Sequence, residues 1–374
     1  QAALIAVSWA IFKNGAVVKT LNPLILQSLT LVCFLGFLVL ASRGVNSLKK
    51  IGIVAGTSML IMSILFILLM LAAPALRGVH SATTDWGWHT FIPNFDFTYF
   101  TTISMLLFAV GGCEKLAPYV NNTHNPAKEF PKAMIAVAGL VAVSALLGSF
   151  AMGLMFDAHN LPKDLKMNGQ YYAFQLLGQY YGLGNSLMII YALANGIGQI
   201  AALMFSIDAP IKVFLGEANP RFVPNFLNKK NKHGAPINGY ILTAILVSIL
   251  IIVPAFGIKN MNDLFNWLLD LNSIVMPMRY LWVFVAYIAI KKLASQFNSD
   301  YQFVKNRQLG MTIGIWCFGL TIFAILMGMF PEGITMYSHK WYFQLTLNII
   351  PPFGLLALGF IMPIIAKFSN NQTT

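Results

Sequence analysis

The sequence predicts an all-α polytopic membrane protein. Two observations carry this. The chain is 57% hydrophobic and only 10% charged, with a mean hydropathy of +0.70, whereas soluble domains are about 25% charged. Its apolar residues also gather into runs of roughly 20, the length a helix needs to cross a bilayer core.

Nine such runs lie near 24–42, 51–76, 100–119, 133–156, 184–207, 237–257, 272–290, 311–330 and 345–367. Residues 1–12 form a further, incomplete run, which at ~1.5 Å per residue is too short to cross. The chain opens on Gln1 with no basic segment and no small-residue cleavage site, so this run is not a signal peptide. The simplest expectation is a protein whose first helices are missing.

The net charge of +12 does not point to nucleic acid, because the basic residues sit in alternate loops. Loops placed inside carry Arg43, Lys49 and Lys50, then Lys115, Lys128 and Lys132, then a cluster from Lys212 to Lys232, then Lys291, Lys292, Lys305 and Arg307. The opposite loops are poorer. The bias predicts a cytoplasmic C-terminus. Segment 157–181 then reads as an outer loop with a short membrane-surface helix. Its Tyr171, Tyr172, Phe174 and Tyr180 would sit at headgroup level, as would Trp86 and Trp88.

The third run carries the strongest functional signal. It reads Ala109, Val110, Gly111, Gly112, Cys113, Glu114, with Pro118 beyond. Paired glycines can unwind a helix. Unwound backbone at membrane depth is tolerated only where it is buried in protein or lines a cavity. Its freed N–H and C=O groups can bind the carboxylate and amine of a zwitterion. Glu114 could pair with a cation, take up a proton or close a gate, since intramembrane carboxylates are functional by default. The glycines would equally suit close helix packing, and Glu114 could sit at the inner interface beside Lys115.

Two other runs hold polar groups. Arg279 lies mid-span, after Pro277 and before Tyr280. An arginine there costs at least about 2.5–3.5 kcal/mol to insert and needs a partner. Asp270 falls about 180° around the helix, which leaves Glu114 or a ligand carboxylate. The run near 184–207 carries Asn195, Gly196, Gly198 and Gln199, which can serve packing or line a polar path.

Enzyme chemistry finds no support. The histidines lie in loops without metal-ligand spacing, and no nucleophile elbow, phosphate loop, HExxH or CxxC motif occurs. Neither a metal nor a cofactor is expected.

The chain resembles the amino acid-polyamine-organocation (APC) superfamily. Gly112-Cys113-Glu114 looks like the Gly-x-Glu of that family's broken sixth helix. Asn125-Pro126-Ala127-Lys128-Glu129-Phe130-Pro131-Lys132-Ala133 is similar to its Asn-Pro-x-Arg/Lys-x-x-Pro-x-Ala signature. Lys232-His233-Gly234-Ala235-Pro236 looks like the segment that leads into its ninth helix. The likeness is nearest the glutamate/γ-aminobutyrate antiporters. It implies an inverted-repeat fold of the APC/LeuT type, lacking the first two helices and most of the third. Residues 1–99 would be the remnant of the first repeat, with the end of helix 3 and helices 4 and 5. Residues 100–292 would be the second repeat, helices 6 to 10, and 293–374 helices 11 and 12.

The resemblance further implies secondary transport of amino acids in a bacterial inner membrane, by exchange or proton coupling. Its partners would be an amino-acid substrate, the lipid bilayer, and a coupled proton or counter-substrate. Ala109, Val110, Gly111, Gly112, Cys113, Arg279 and Tyr280 would bind substrate. Glu114 would gate or carry a proton, and Asn195 and Gln199 would line the pathway. Arg279 is not a general family feature and marks a substrate with an extra carboxylate, glutamate first. Two further departures are Lys115 directly after the glutamate, and Asp208-Ala209-Pro210-Ile211-Lys212 in place of the commoner Pro-Ser-Arg pattern. The competing reading is a permease-like amino-acid sensor that does not transport.

Overall fold

The computed structural model describes residues 1–15, 17, 22–42, 46–162, 164–211, 214–215, 221–231, 234–257, 261–293, 296 and 301–371. Among the described residues the structure is helical, without a named strand. The α-helices are α1 (Ala2–Phe12), α2 (Pro23–Ala41), α3 (Asn46–Arg77), α4 (Phe97–Val110), α5 (Pro126–Met155), α6 (Leu165–Tyr180), α7 (Ser186–Ile211), α8 (Ile237–Gly257), α9 (Met261–Lys292), α10 (Arg307–Gly328) and α11 (His339–Asn371), with a single turn at Trp88–Phe91.

Among the described residues, seven helices are long and apolar enough to cross a membrane: α2, α3, α5, α7, α9, α10 and α11. They account for seven of the nine expected runs. The run near 237–257 is α8, whose apolar stretch Ile237–Ile252 is shorter. The run near 100–119 does not continue as one helix, since α4 stops at Val110. The run near 272–290 is longer than expected. Its helix begins at Met261, because Asn262, Asp263, Asn266 and Asp270 lower the local hydropathy without ending the helix.

The chain folds as two compact units. The first comprises Gln1–Thr90, Ala142–Asn266 and Ile361–Thr374. Helix α7 is its hub and packs against α1, α2, α3 and α6. Small residues allow this: a Cβ on Gly198 would lie 3.1 Å from Met59 Cγ, and one on Gly196 3.6 Å from Ala6 Cβ. Phe34, Leu38 and Ala41 of α2 follow helical spacing and form a core with Ile207, Ile211 and Tyr240.

Helix α6 exists where the sequence placed a short helix, and part of its aromatic face turns into the protein. Tyr171, Phe174 and Leu177 are buried in this unit. Trp9 of α1 stacks on Tyr171 at 5.2 Å and 8°, and its indole N–H donates to Asn168 Oδ1 at 2.9 Å. Trp86 packs on Phe150, while Trp88 is 81% exposed, as an interfacial residue would be. The segment before α8 is held by Asn231, which donates to Ser42 O at 3.0 Å and accepts from Ala235 N at 3.0 Å. Lys212, Lys232 and His233 lie outside the described residues.

The second unit comprises Phe91–Val141 and Trp267–Phe360. Asp96 caps α4 by accepting from Tyr99 N at 2.7 Å. Helix α4 then packs on α10, closely enough that a Cβ on Gly328 would collide with Ser104 Oγ. Ser104 and Ser273 hydroxyls meet at 3.2 Å, beside a core of Ile274, Ile325 and Met329. Asn125 adopts φ 55°, which asparagine tolerates, and Pro126 opens α5 with the fixed φ that suits a first helical residue. This is the local physics of the Asn-Pro signature. Between α9 and α10, Lys291 Nζ donates to Val304 O at 2.5 Å and Arg307 Nη2 to Lys292 O at 2.6 Å.

Candidate functional site

The predicted break occurs at the two glycines. Gly111 is extended, at φ −83° and ψ 175°. Gly112 adopts φ 117° and ψ −14°, a conformation that side chains oppose. A 3-10 helix, Cys113–Asn122, then carries the chain onward. The two glycines are needed for different reasons. Gly112 supplies the backbone angle. Gly111 supplies space, since a Cβ there would collide with the Tyr280 hydroxyl and lie 2.5 Å from Met276 Cε.

Glu114 folds back over the break. Its Oε2 accepts from Gly112 N–H at 3.0 Å and from the Tyr280 hydroxyl at 2.8 Å. Gly112 N–H also donates to the Tyr280 hydroxyl at 2.9 Å. One backbone donor is thus shared between a carboxylate and a phenol. The carboxylate sits in the first turn of the 3-10 helix, where exposed N–H groups favour negative charge.

The other oxygen is held differently. Glu114 Oε1 is buried and makes no hydrogen bond, with Arg279 Nη2 3.5 Å away. That is an ion pair, but longer than a charge-assisted hydrogen bond of 2.7–2.9 Å. The Glu114 side chain is 22% exposed and that of Arg279 48%. A guanidinium has five N–H donors in a planar fork, and among the described residues this loose contact is the ion pair it makes.

The structure therefore brings together Gly111, Gly112, Glu114, Arg279 and Tyr280 from two separated sequence segments. Arg279 faces Glu114, one of the two partners left open once helical geometry had excluded Asp270. Ala109 and Val110 end α4 with exposed side chains, and Cys113 opens the 3-10 helix as a free, part-buried thiol. The side chains of Lys115 and Pro118 lie outside those described. Met276 was missed by the sequence reading. It precedes Tyr280 by one turn of α9, and that spacing was the available signal.

Asn195 and Gln199 belong to the first unit. Asn195 is buried, and its Nδ2 donates to the Tyr171 hydroxyl at 2.9 Å; Gln199 Nε2 donates to Asn195 Oδ1 at 3.2 Å. Tyr191 donates to Gln170 Oε1 nearby. Burial pushes the Tyr171 hydroxyl up to about 12, partly offset by the Asn195 hydrogen bond, so it stays neutral at physiological pH. Among the described residues, no three His, Cys, Asp or Glu side chains gather as a metal site.

A family model described as amino acid permease matches residues 2–351. The chain belongs to this family. The permease is 51% identical over 377 residues to an aspartate/glutamate permease of Lactococcus lactis subsp. cremoris (strain MG1363), covering 100% of this chain and 77% of the relative. It is 27% identical over 355 residues to a glutamate/gamma-aminobutyrate antiporter of Lactococcus lactis subsp. lactis (strain IL1403), covering 90% of this chain and 68% of the relative. An inner membrane transporter of Escherichia coli (strain K12) is 23% identical over 273 residues, covering 67% of this chain and 53% of the relative.

The permease is thus a multi-pass membrane protein of the amino acid-polyamine-organocation superfamily that transports amino acids, and not an enzyme. These relatives are transporters and lend the sensor alternative no support.

Proposed function

We propose that the permease carries acidic amino acids by exchange or proton coupling, with Arg279 receiving the side-chain carboxylate. The observation that carries this is Arg279 itself. It is a cation in the interior of a membrane-crossing helix, 48% exposed and, among the described residues, paired with Glu114 at 3.5 Å. Such a group is costly to place there without a role. A fork-shaped donor suits a planar carboxylate. Similarity to an aspartate/glutamate permease supports the same substrate class.

The remaining parts complete this reading. The substrate's α-carboxylate and amine meet the backbone freed from Ala109 to Cys113, with Tyr280 alongside. Glu114 is the gate or proton residue. Asn195 and Gln199 keep the pathway-lining role that polar residues at membrane depth suggest. The permease works in a bacterial inner membrane with its C-terminus in the cytoplasm, as the basic loops favour. Residues 100–292 form one inverted repeat, 1–99 belong to the other, and 293–374 supply the last two helices. Access alternates as one bundle rocks against the rest.

The test is uptake of labelled amino acids by proteoliposomes between pH 5 and 8. Glutamate and aspartate should enter or exchange. Arg279→Ala should abolish their transport by at least about tenfold and spare any neutral substrate. Equal loss of acidic and neutral substrates would remove Arg279 as the carboxylate receptor.

A further inference from the structure

The two oxygens of Glu114 do different work, and the difference has a consequence for binding. Oε2 is anchored to the broken backbone by Gly112 N–H and the Tyr280 hydroxyl. Oε1 is buried without a hydrogen bond, facing Arg279 at 3.5 Å. We propose that Glu114 is a tethered competitor, which occupies Arg279 in the empty permease and yields it to the side-chain carboxylate of the substrate. This rests on the acidic-substrate reading above.

The competition is uneven. Glu114 offers Arg279 one oxygen, at a distance too long for a strong hydrogen bond. Its other oxygen is committed to the backbone, so it cannot turn both to the guanidinium. A mobile carboxylate can take two parallel N–H donors at once, the arrangement that arginine favours. Substrate therefore displaces Glu114 from Arg279 without dislodging it from the break.

Displacement leaves Oε1 buried, without a hydrogen bond, and now beside a second carboxylate. Among the described residues, the charged group that faces it is Arg279 of α9; the Tyr280 hydroxyl, also from α9, bonds the other oxygen, Cys113 is the titratable neighbour in sequence, and the Lys115 side chain is outside those described. Two carboxylates sharing one arginine cannot both stay charged at low cost. A proton from solution bonds to Oε1. The ion pair of Glu114 with Arg279, plus substrate carboxylate, plus one proton, becomes neutral Glu114 and an ion pair of substrate with Arg279. Charge and atoms balance, and the site gains its substrate and one proton together. A neutral substrate, unable to replace Glu114 on the guanidinium, brings no proton.

Titration calorimetry on the purified permease in lipid nanodiscs tests this. Glutamate and glutamine are titrated at pH 7 in two buffers of different ionisation enthalpy, with wild type and Glu114→Gln. The amide oxygen of glutamine at 114 preserves the bonds from Gly112 and Tyr280. Wild type should take up about one proton with glutamate and none with glutamine. Glu114→Gln should take up none, and should gain affinity for glutamate, about two- to tenfold, by more than its affinity for glutamine changes.

Proton uptake that persists in Glu114→Gln would overturn the competitor, as would equal weakening of both ligands. Should that variant not fold, the wild-type contrast between glutamate and glutamine decides alone: equal proton counts overturn the proposal. A wild type that binds neutral amino acids but neither glutamate nor aspartate overturns the acidic-substrate reading instead, which is a separate result.

Discussion

The Tyr280 hydroxyl fills the space that a side chain on Gly111 would need. From there it donates to Glu114 at 2.8 Å and accepts from Gly112 at 2.9 Å. The absence of one side chain thus admits another, and the admitted group fixes the carboxylate.

Gly111→Ala should therefore destabilise the permease by about 1–3 kcal/mol, the usual range for overpacking. Tyr280→Phe removes the colliding hydroxyl and should recover part of that loss. The double variant should be more stable than the sum of the single effects implies. Thermal unfolding in detergent measures this, and strict additivity would mean that the hydroxyl is not the obstacle.

Gly112→Ala acts through backbone angle and has no such rescue. At φ 117° the added Cβ should destabilise by at least about 1 kcal/mol. Among the described residues, the neighbour that Cβ would meet within 4 Å is Met276 Cε at 3.9 Å, an ordinary van der Waals distance, so trimming Met276 should not help. Recovery in Gly112→Ala with Met276→Ala would show that crowding, not strain, limits this position.

Arg279→Lys keeps the charge and loses the fork. Glutamate transport should survive weakly, with its apparent affinity reduced about tenfold or more, while Arg279→Ala gives none. Full activity in the lysine variant would mean that charge alone suffices.

Trp9 tests the first unit independently of the site. Asn168→Ala would leave its indole N–H buried without an acceptor and should cost about 1–3 kcal/mol. Trp9→Phe with Asn168→Ala removes both partners and should cost less than the sum. Unchanged melting in Asn168→Ala would show that the 2.9 Å bond is replaced by solvent.

Much of this was legible in the sequence. Gly111-Gly112 interrupts an apolar run, and glycine is the poorest helix former after proline, so the place of the break was readable, while the packing alternative was left for the structure to decide. The face of Arg279 was readable because nine residues at 100° per residue exclude Asp270. The inward turn of Tyr171 and Phe174 was not. An apolar ring suits a lipid headgroup boundary and a protein core alike, and only the packing of α1 and α7 decides between them. The early start of α9 was hidden for a related reason: Asn262, Asp263 and Asn266 depress hydropathy but do not break a helix. Met276 was half legible: its place one turn before Tyr280 was visible in the sequence, but its approach to Gly111, more than 160 residues away, needed the third dimension.

Lys291 and Arg307 were first counted among the basic residues that orient the chain in its membrane. Both are also fastened to main-chain carbonyls, Lys291 to Val304 and Arg307 to Lys292. Their positive charge is therefore a buckle as well as a signpost. Reversing either sign in a topology scan would loosen the connection between two helices at the same time as it altered the insertion bias. An apparent inversion from such a variant would mix two causes, and Lys128, an exposed residue on the first turn of α5, is the cleaner place to ask which side of the membrane the loops prefer.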